Sequence, residues 1–360
     1  MMMFASKLRE GVALAPLTTI GVGGAARYFL RVTCREDAVA ALRWARERAL
    51  PLLVLGGGSN LLVADEGFSG LVLHMALPGV QVRRERDAVE ITAGAGERWE
   101  RLVARAVAHG WAGVECLAGI PGLVGATPVQ NVGAYGQEVS EVITRVEALD
   151  MHTLDTVTFD NADCAFGYRE SRFKGAARDR YLILAVSYRL IPHGPPTVHY
   201  IELERALAAR ELPQPTLREV WQVVLDIRRG KSMLLRPHDA NARSAGSFFM
   251  NPLLGEAEME ALDAAIARRL PGAHIPRFAK PGGGVKIPAA WLIERSGFAR
   301  GYAAGPVALS ENHVLAIVNH GGATAHDVLA LARTIRDRVR DLFGITLTTE
   351  PVLVGVSLED

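Results

Sequence analysis

The chain is poor in cysteine. It has three in 360 residues, Cys34, Cys116 and Cys164, far apart and with no C-x-x-C pair. That spacing excludes a disulfide scaffold and a cysteine-ligated structural zinc, so no metal is expected, and it fits a reducing compartment. Excess charge of either sign is also missing, with 40 basic against 39 acidic residues. No global field draws such a chain to nucleic acid or to an anionic membrane, so an anionic ligand must be met by local charge. No apolar stretch is long enough to cross a bilayer, and the opening "MMMFASKLREGVALAPLTT" has no apolar run followed by a cleavage signature. A soluble, cytoplasmic monomer is expected, without nucleic-acid or membrane partners. Repeats and low-complexity tracts are absent as well.

What is present is an ordinary globular balance, 49% hydrophobic and 22% charged, over a length that suits two or three lobes. "REDAVAALRWARERAL" sets Val39, Leu42, Ala45 and Ala49 at helical spacing, and "ERWERLVARAVAHG" sets Trp99, Leu102, Val103, Ala106 and Val107 so, with Gly110 as C-cap. "VITRVEALDMHTLDTVTF" reads as two strands around a turn and "YLILAVSYRLI" as a further strand. "LREVWQVVLDIRRGK" reads as a helix. "TAHDVLALARTIRDRVRDLFG" is a helix striped by Val328, Ala332, Ile335, Val339 and Leu342, with Thr324 as N-cap and Gly344 as stop. "ITLTTEPVLVG" reads as a closing strand, and the proline-rich stretch after residue 191 as a loop between lobes. Strands and helices alternate without a strict βαβ rhythm, which makes the fold class α+β with several lobes.

Two glycine-rich stretches stand out. "GGGSN", Gly56 to Asn60, follows a strand, yet no helical stripe follows it, so the dinucleotide fingerprint fails. Its run of N–H groups, with the side chains of Ser59 and Asn60, makes either an anion-holding concavity or a plain loop. "GIPGLVGATPVQNVGAYG", residues 119–136, carries five glycines and two prolines among few polar residues. It is less polar than a flexible linker. It is either a buried, tightly turned loop or backbone pressed against a ligand.

The segments "TTIGVGGAARYF", "VLGGGSNLLV", "CLAGIPGLVGATPVQNVGAYG", "FGYRESRFK", "AGSFFMNP", "GGGVKIPAAWLIE" and "SENHVLAIVNHGGATAHDVLALA" occur in that order. Together they make the chain, over about residues 15–356, resemble the UDP-N-acetylenolpyruvoylglucosamine reductase family of peptidoglycan precursor synthesis. The resemblance implies a vanillyl-alcohol-oxidase-type FAD-binding fold in two subdomains, residues 1–70 and 71–220, and a substrate domain, 221–360. It implies FAD and NADPH as cofactors, with hydride passing from NADPH to flavin and then to the enolpyruvyl carbon of a UDP-sugar. Flavin contacts are implied for Gly56, Gly57, Gly58, Ser59, Asn60, Gly119, Pro121, Gly122, Gly125, Ala126, Gln130, Asn131, Gly133 and Tyr135.

Hydride addition to the double bond builds charge on the α-carbon and its carboxylate, which calls for a stabilising cation or acid and a proton donor. By the resemblance, Arg169 forks onto the carboxylate, Glu350 meets the same end, and Ser247 gives its proton to carbon. Read by themselves, Arg169 is equally a partner for the adjacent Glu170, and Ser247 is a serine on a small-residue turn. Arg228 and Lys231 are the cations implied for the diphosphate. Tyr200 matches the substrate-covering tyrosine loop of the family's first type, and Asn251 and His313 match substrate-contacting positions. His313 is equally an ordinary residue opening the strand "VLAIVN". The chain departs from the family in two places: Met250 stands where lysine is common, and Thr348 where an additional acid is usual. Two rival classes remain, an oxidase of the same fold using O₂ and a nucleotide-sugar-binding regulator. Neither has reason to carry Arg169, Ser247 and Glu350 together.

Overall fold

The computed structural model describes residues 6–279 and 283–359. The Gly282 that opens "GGGVKIPAAWLIE" lies outside them. The chain divides into two compact units. The first comprises residues 1–12, 26–57 and 69–234; the second comprises 13–25, 58–68 and 235–360.

The first unit is built on two main sheets, with a two-stranded one at Gly133–Ala134 and Gln137–Glu138. Its larger sheet runs in the order Thr156–Asp160, Ile143–Asp150, Tyr181–Pro192, Val89–Gly94, Val80–Arg84, every neighbour antiparallel. The register sets Val186 opposite both Val146 and Ala93, and all three are fully buried. The smaller sheet runs Arg9–Ala13, Ala25–Val32, Phe68–Met75, Leu52–Leu55, its last pair parallel.

Four helices pack in this unit: α1 (Arg35–Glu47), α2 (Trp99–Ala108), α3 (Ile201–Ala208) and α4 (Leu217–Gly230). Helix α2 buries the expected stripe, Trp99, Leu102, Val103, Ala106 and Val107, and Gly110 follows it at φ +70°. In α1 the buried face is rotated from the expected one. Ala38, Ala41, Leu42 and Ala45 are inside; Val39 is half-buried and Ala49 lies exposed beyond the helix end. Asp37 is buried on the same helix, paired with the Lys7 ammonium at 2.7 Å and the Thr33 hydroxyl at 2.9 Å. The proline-rich stretch is not wholly loop, because α3 forms inside it with Leu203 and Leu207 buried.

The second unit gathers α5 (Glu256–Arg269), α6 (Ala289–Arg295) and α7 (Ala325–Phe343) around short strands. Helix α7 starts on a reciprocal capping box between Thr324 and Asp327 and ends at Gly344, φ +72°. Asp65 adds a second cap from elsewhere in the chain, accepting from the N–H groups of Ala325 at 2.7 Å and His326 at 3.1 Å. The closing stretch is not one strand. Only Val352–Val354 is regular, paired in parallel with Leu61–Val63. Residues 345–350 instead meet the chain around Phe249 through an isolated bridge at Thr349, and Glu350 lies in that irregular part. No described helix is long and apolar enough to cross a membrane.

Candidate functional site

In the first unit Gly57 approaches the longer glycine stretch. A Cβ on Gly57 would stand 2.8 Å from the Cα of Gly122, so only hydrogen fits there. The N–H groups of Gly56, Gly57 and Gly58 find no acceptor among the described residues. Such a cradle suits a pyrophosphate, whose oxygens accept from successive backbone amides. The longer loop is fixed to the sheet beneath it: the Thr127 and Tyr188 hydroxyls are 2.7 Å apart and buried, and Gly125 N–H donates to the Ala95 carbonyl at 3.0 Å. Pro121, Gln130 and Gly133 are half-buried on this loop, and Ala126 is exposed. Asn131 turns its amide inward, donating to Glu138 at 2.7 Å and to the Gly167 carbonyl at 2.9 Å. Its φ of +44° suits asparagine, which tolerates the left-handed region.

Tyr135, Tyr200, Arg228 and Lys231 form one cluster. The rings of Tyr135 and Tyr200 meet edge to face with centroids 5.6 Å apart. The Lys231 ammonium lies 5.9 Å from the centre of the Tyr135 ring and pairs with Glu202 at 2.6 Å. Arg228 is buried near the end of α4, and one terminal nitrogen donates to the Met233 carbonyl at 3.0 Å. Its Nε is buried without a hydrogen-bond partner among the described residues. Burial lowers the Arg228 pKa, and the Tyr135 phenol opposes that. Burial likewise pushes the phenol up to about 12, against the pull of the guanidinium. Arg169 sits at φ +55°, donates to the Gly133 carbonyl at 2.8 Å and lies 5.6 Å from the centre of the Tyr168 ring. The adjacent Glu170 pairs with Lys174 at 3.7 Å.

In the second unit the chain around Ser247 runs antiparallel to the chain around Glu350. Glu350 N–H donates to the Phe248 carbonyl at 2.9 Å, and Met250 N–H to the Thr348 carbonyl at 3.0 Å. Ser247 therefore directly precedes the residue paired with Glu350. Phe248 and Phe249 are buried and pin the turn, and Gly246 at φ +77° allows it. The Ser247 hydroxyl is 3.3 Å from Nε2 of His313. His313 does not open the strand as the sequence suggested; it precedes a turn ahead of Ile317–Asn319. Asn60 donates to the Glu350 carbonyl at 3.1 Å, and Asn251 accepts from Ala289 N–H at 2.9 Å, capping α6. Thr19 ties two of the motifs together: its N–H donates to the Gly58 carbonyl at 3.0 Å and its hydroxyl to the Ser244 carbonyl at 2.6 Å. Ser59 is half-buried beside Asn60.

Sequence reasoning missed Glu202, Glu138 and Glu115. The first two carry no periodic signal: Glu202 pairs with Lys231, 29 residues on, and Glu138 with Asn131, seven residues back across a turn. Glu115 did leave one, as a single acid inside the apolar run "WAGVECLAGIPG".

Comparison with known proteins identifies the family. Residues 26–153 match the family profile described as FAD binding domain. Residues 237–354 match the profile of the UDP-N-acetylenolpyruvoylglucosamine reductase C-terminal domain. The chain is 48% identical to the UDP-N-acetylenolpyruvoylglucosamine reductase of Streptomyces avermitilis, covering 96% of this chain and 94% of that protein. It is 45% identical to that of Thermobifida fusca, covering 97% and 98%. The crystal structure of the reductase from Thermus caldophilus superposes with a TM-score of 0.66 at 27% identity, over 96% of this chain and 99% of that one. Identity at this level over nearly the whole chain, with an FAD-binding domain ahead of a reductase C-terminal domain, makes this protein a member of the UDP-N-acetylenolpyruvoylglucosamine reductase family and an FAD-dependent oxidoreductase.

Proposed function

We propose that the protein reduces UDP-N-acetylglucosamine enolpyruvate to UDP-N-acetylmuramate with NADPH, as a cytoplasmic monomer supplying peptidoglycan synthesis. The glycine stretches would hold FAD, which when bound would pass on the hydride that NADPH provides. Arg169 forks onto the substrate carboxylate, and with Glu350 it steadies the enolate formed as the double bond is reduced. Ser247 then gives its hydroxyl proton to the α-carbon: the O–H bond breaks, a C–H bond forms, and a serine alkoxide is left to be reprotonated. Tyr200 covers the substrate as in the first type of the family, Arg228 and Lys231 meet its diphosphate, and Asn251 and His313 contact it. We divide the chain as proposed from sequence, into FAD subdomains 1–70 and 71–220 and a substrate domain 221–360.

The observation that supports this reading is the backbone pairing of the two segments, in which Glu350 N–H donates to the carbonyl of Phe248, the residue after Ser247, at 2.9 Å. The unfilled Nε of Arg228 supports the diphosphate role, because a buried donor without an acceptor is costly. The test is spectral. Purified protein should be yellow, NADPH should bleach it under anaerobic conditions, and the enolpyruvyl sugar should restore the oxidised spectrum. A colourless protein that cannot be reconstituted with FAD, or a bleached one that only O₂ reoxidises, overturns the reading.

A further inference from the structure

We propose that Glu115 is a positioning residue that sets the Tyr135–Tyr200 pair, by holding the chain next to each tyrosine from one buried carboxylate. The proposal rests on the reading of Tyr200 as the residue that covers the substrate.

Glu115 is fully buried, among Val114, Cys116 and Leu117, all equally buried. An ionised carboxylate is costly there unless its oxygens are filled. They are filled by neutral donors. Oε1 accepts from the Gln137 side-chain amide at 2.9 Å and from Thr197 N–H at 2.8 Å. Oε2 accepts from Gly113 N–H at 2.8 Å.

Each of the first two partners lies beside a tyrosine. Gln137, two residues after Tyr135, is itself saturated: its amide also donates to the Thr197 hydroxyl at 2.9 Å, and its oxygen accepts from Cys116 N–H at 2.8 Å. Thr197, three residues before Tyr200, is gripped at three points, since its carbonyl also accepts from the Cys116 thiol at 3.2 Å. That thiol stays protonated and able to donate, because burial, and after it the Glu115 charge, raise its pKa. Beyond Thr197 the chain is exposed at His199 and Tyr200 until α3 begins at Ile201. Tyr200 is therefore suspended between the Thr197 grip and the start of α3, where Glu202 pairs with Lys231. The two loops touch at Gly136, where a Cβ would stand in ordinary contact with the Cβ of His199 at 3.7 Å and that of Tyr200 at 3.9 Å.

The side chain of Glu115 points away from solvent and does no chemistry itself. What it fixes is the distance between two loops that carry proposed ligand-contacting residues. Glu115→Gln keeps the volume but turns an NH₂ group onto donors: in one orientation the Gly113 contact fails, and in the other both loop contacts fail, and either way the charge that all three donors face is lost. Losing hydrogen bonds to a buried charge corresponds to about 10- to 100-fold in an equilibrium constant.

The experiment uses the full-length holoenzyme with three variants, Glu115→Gln, Thr197→Val and Tyr200→Ala. Thr197→Val keeps the N–H to Glu115 and removes only the hydroxyl acceptor, so it remains informative if Glu115→Gln fails to fold. Expected are a KM for the enolpyruvyl sugar raised about 10-fold or more in Glu115→Gln and less in Thr197→Val, with flavin reduction by NADPH unchanged. Amide exchange at residues 196–200 should quicken in both, a readout independent of turnover. Wild-type KM and wild-type exchange in both variants overturn the proposal, as does equal slowing of both half-reactions, which marks a purely structural group. Tyr200→Ala separates the two levels. If its KM is also unchanged, it is the substrate-covering role of Tyr200 that fails.

Discussion

Ser247 owes its setting to its neighbours. Two buried phenylalanines and a left-handed glycine fix the turn, and His313 is the side chain within reach of its hydroxyl, at 3.3 Å. Under the proposed chemistry, Ser247→Ala should form reduced flavin at the normal rate, while reoxidation by the enolpyruvyl sugar falls about 10²-fold or more, as for a lost general acid. Stopped-flow absorbance of each half-reaction decides it, and equal slowing of both would make the serine structural. The cysteines make a second prediction. Burial raises all three thiols, Cys164 to about 12, and Cys116 and Cys164 are fully inside. Thiolate, the reactive form, is therefore scarce at pH 8. An aromatic disulfide reagent should titrate at most Cys34 in the native protein and all three thiols after denaturation. Rapid native labelling of two or more would show that those interiors open.

Between elements, the two departures from the family pattern prove to be neighbours. Met250 N–H donates to the Thr348 carbonyl, so the positions where lysine and an extra acid are usual face each other across the Ser247–Glu350 pairing. Met250→Lys and Thr348→Glu should each lower stability alone and recover in combination, with a coupling on the order of 0.2–1 kcal/mol in a double-mutant cycle. Strict additivity would count against a cross-strand pair. The turn after Ile143–Asp150 offers a test in pH. Burial works to raise the Asp150 carboxyl, but the N–H groups of His152 and Thr153 and the Arg180 guanidinium outweigh it and hold the pKa below the usual value. A carboxyl depressed in the folded state contributes stability above its unfolded pKa, about 3.9, and loses it as pH falls through the folded value. Asp150→Asn should therefore melt lower than wild type at pH 7, with the gap closing below about pH 4. A gap that is constant from pH 7 to pH 3 would assign the cost to packing instead.

For the molecule as a whole, the second unit is assembled from three stretches of chain. Ile20, Val22 and Leu62 belong to its buried core with Ile293, Ile317 and Ile335, and Val352–Val354 takes its only strand partner among the described residues from Leu61–Val63. A fragment of residues 235–360 should therefore lack a fixed core, giving weak near-ultraviolet circular dichroism and poor amide dispersion. A cooperative thermal transition in that fragment would contradict this. The sequence alone determined much: four of the seven described α-helices from their stripes and caps, the failure of the dinucleotide fingerprint from the missing helix, and the family from ordered motifs. These signals are legible because they are side-chain choices made within a few residues. Tertiary structure alone decided that Thr19 joins Gly58 to Ser244, that Ser247 borders Glu350, and that Glu115 grips the loops of two tyrosines. Those contacts run largely through backbone groups that every residue shares, between positions up to 225 residues apart, so no spacing in the sequence records them.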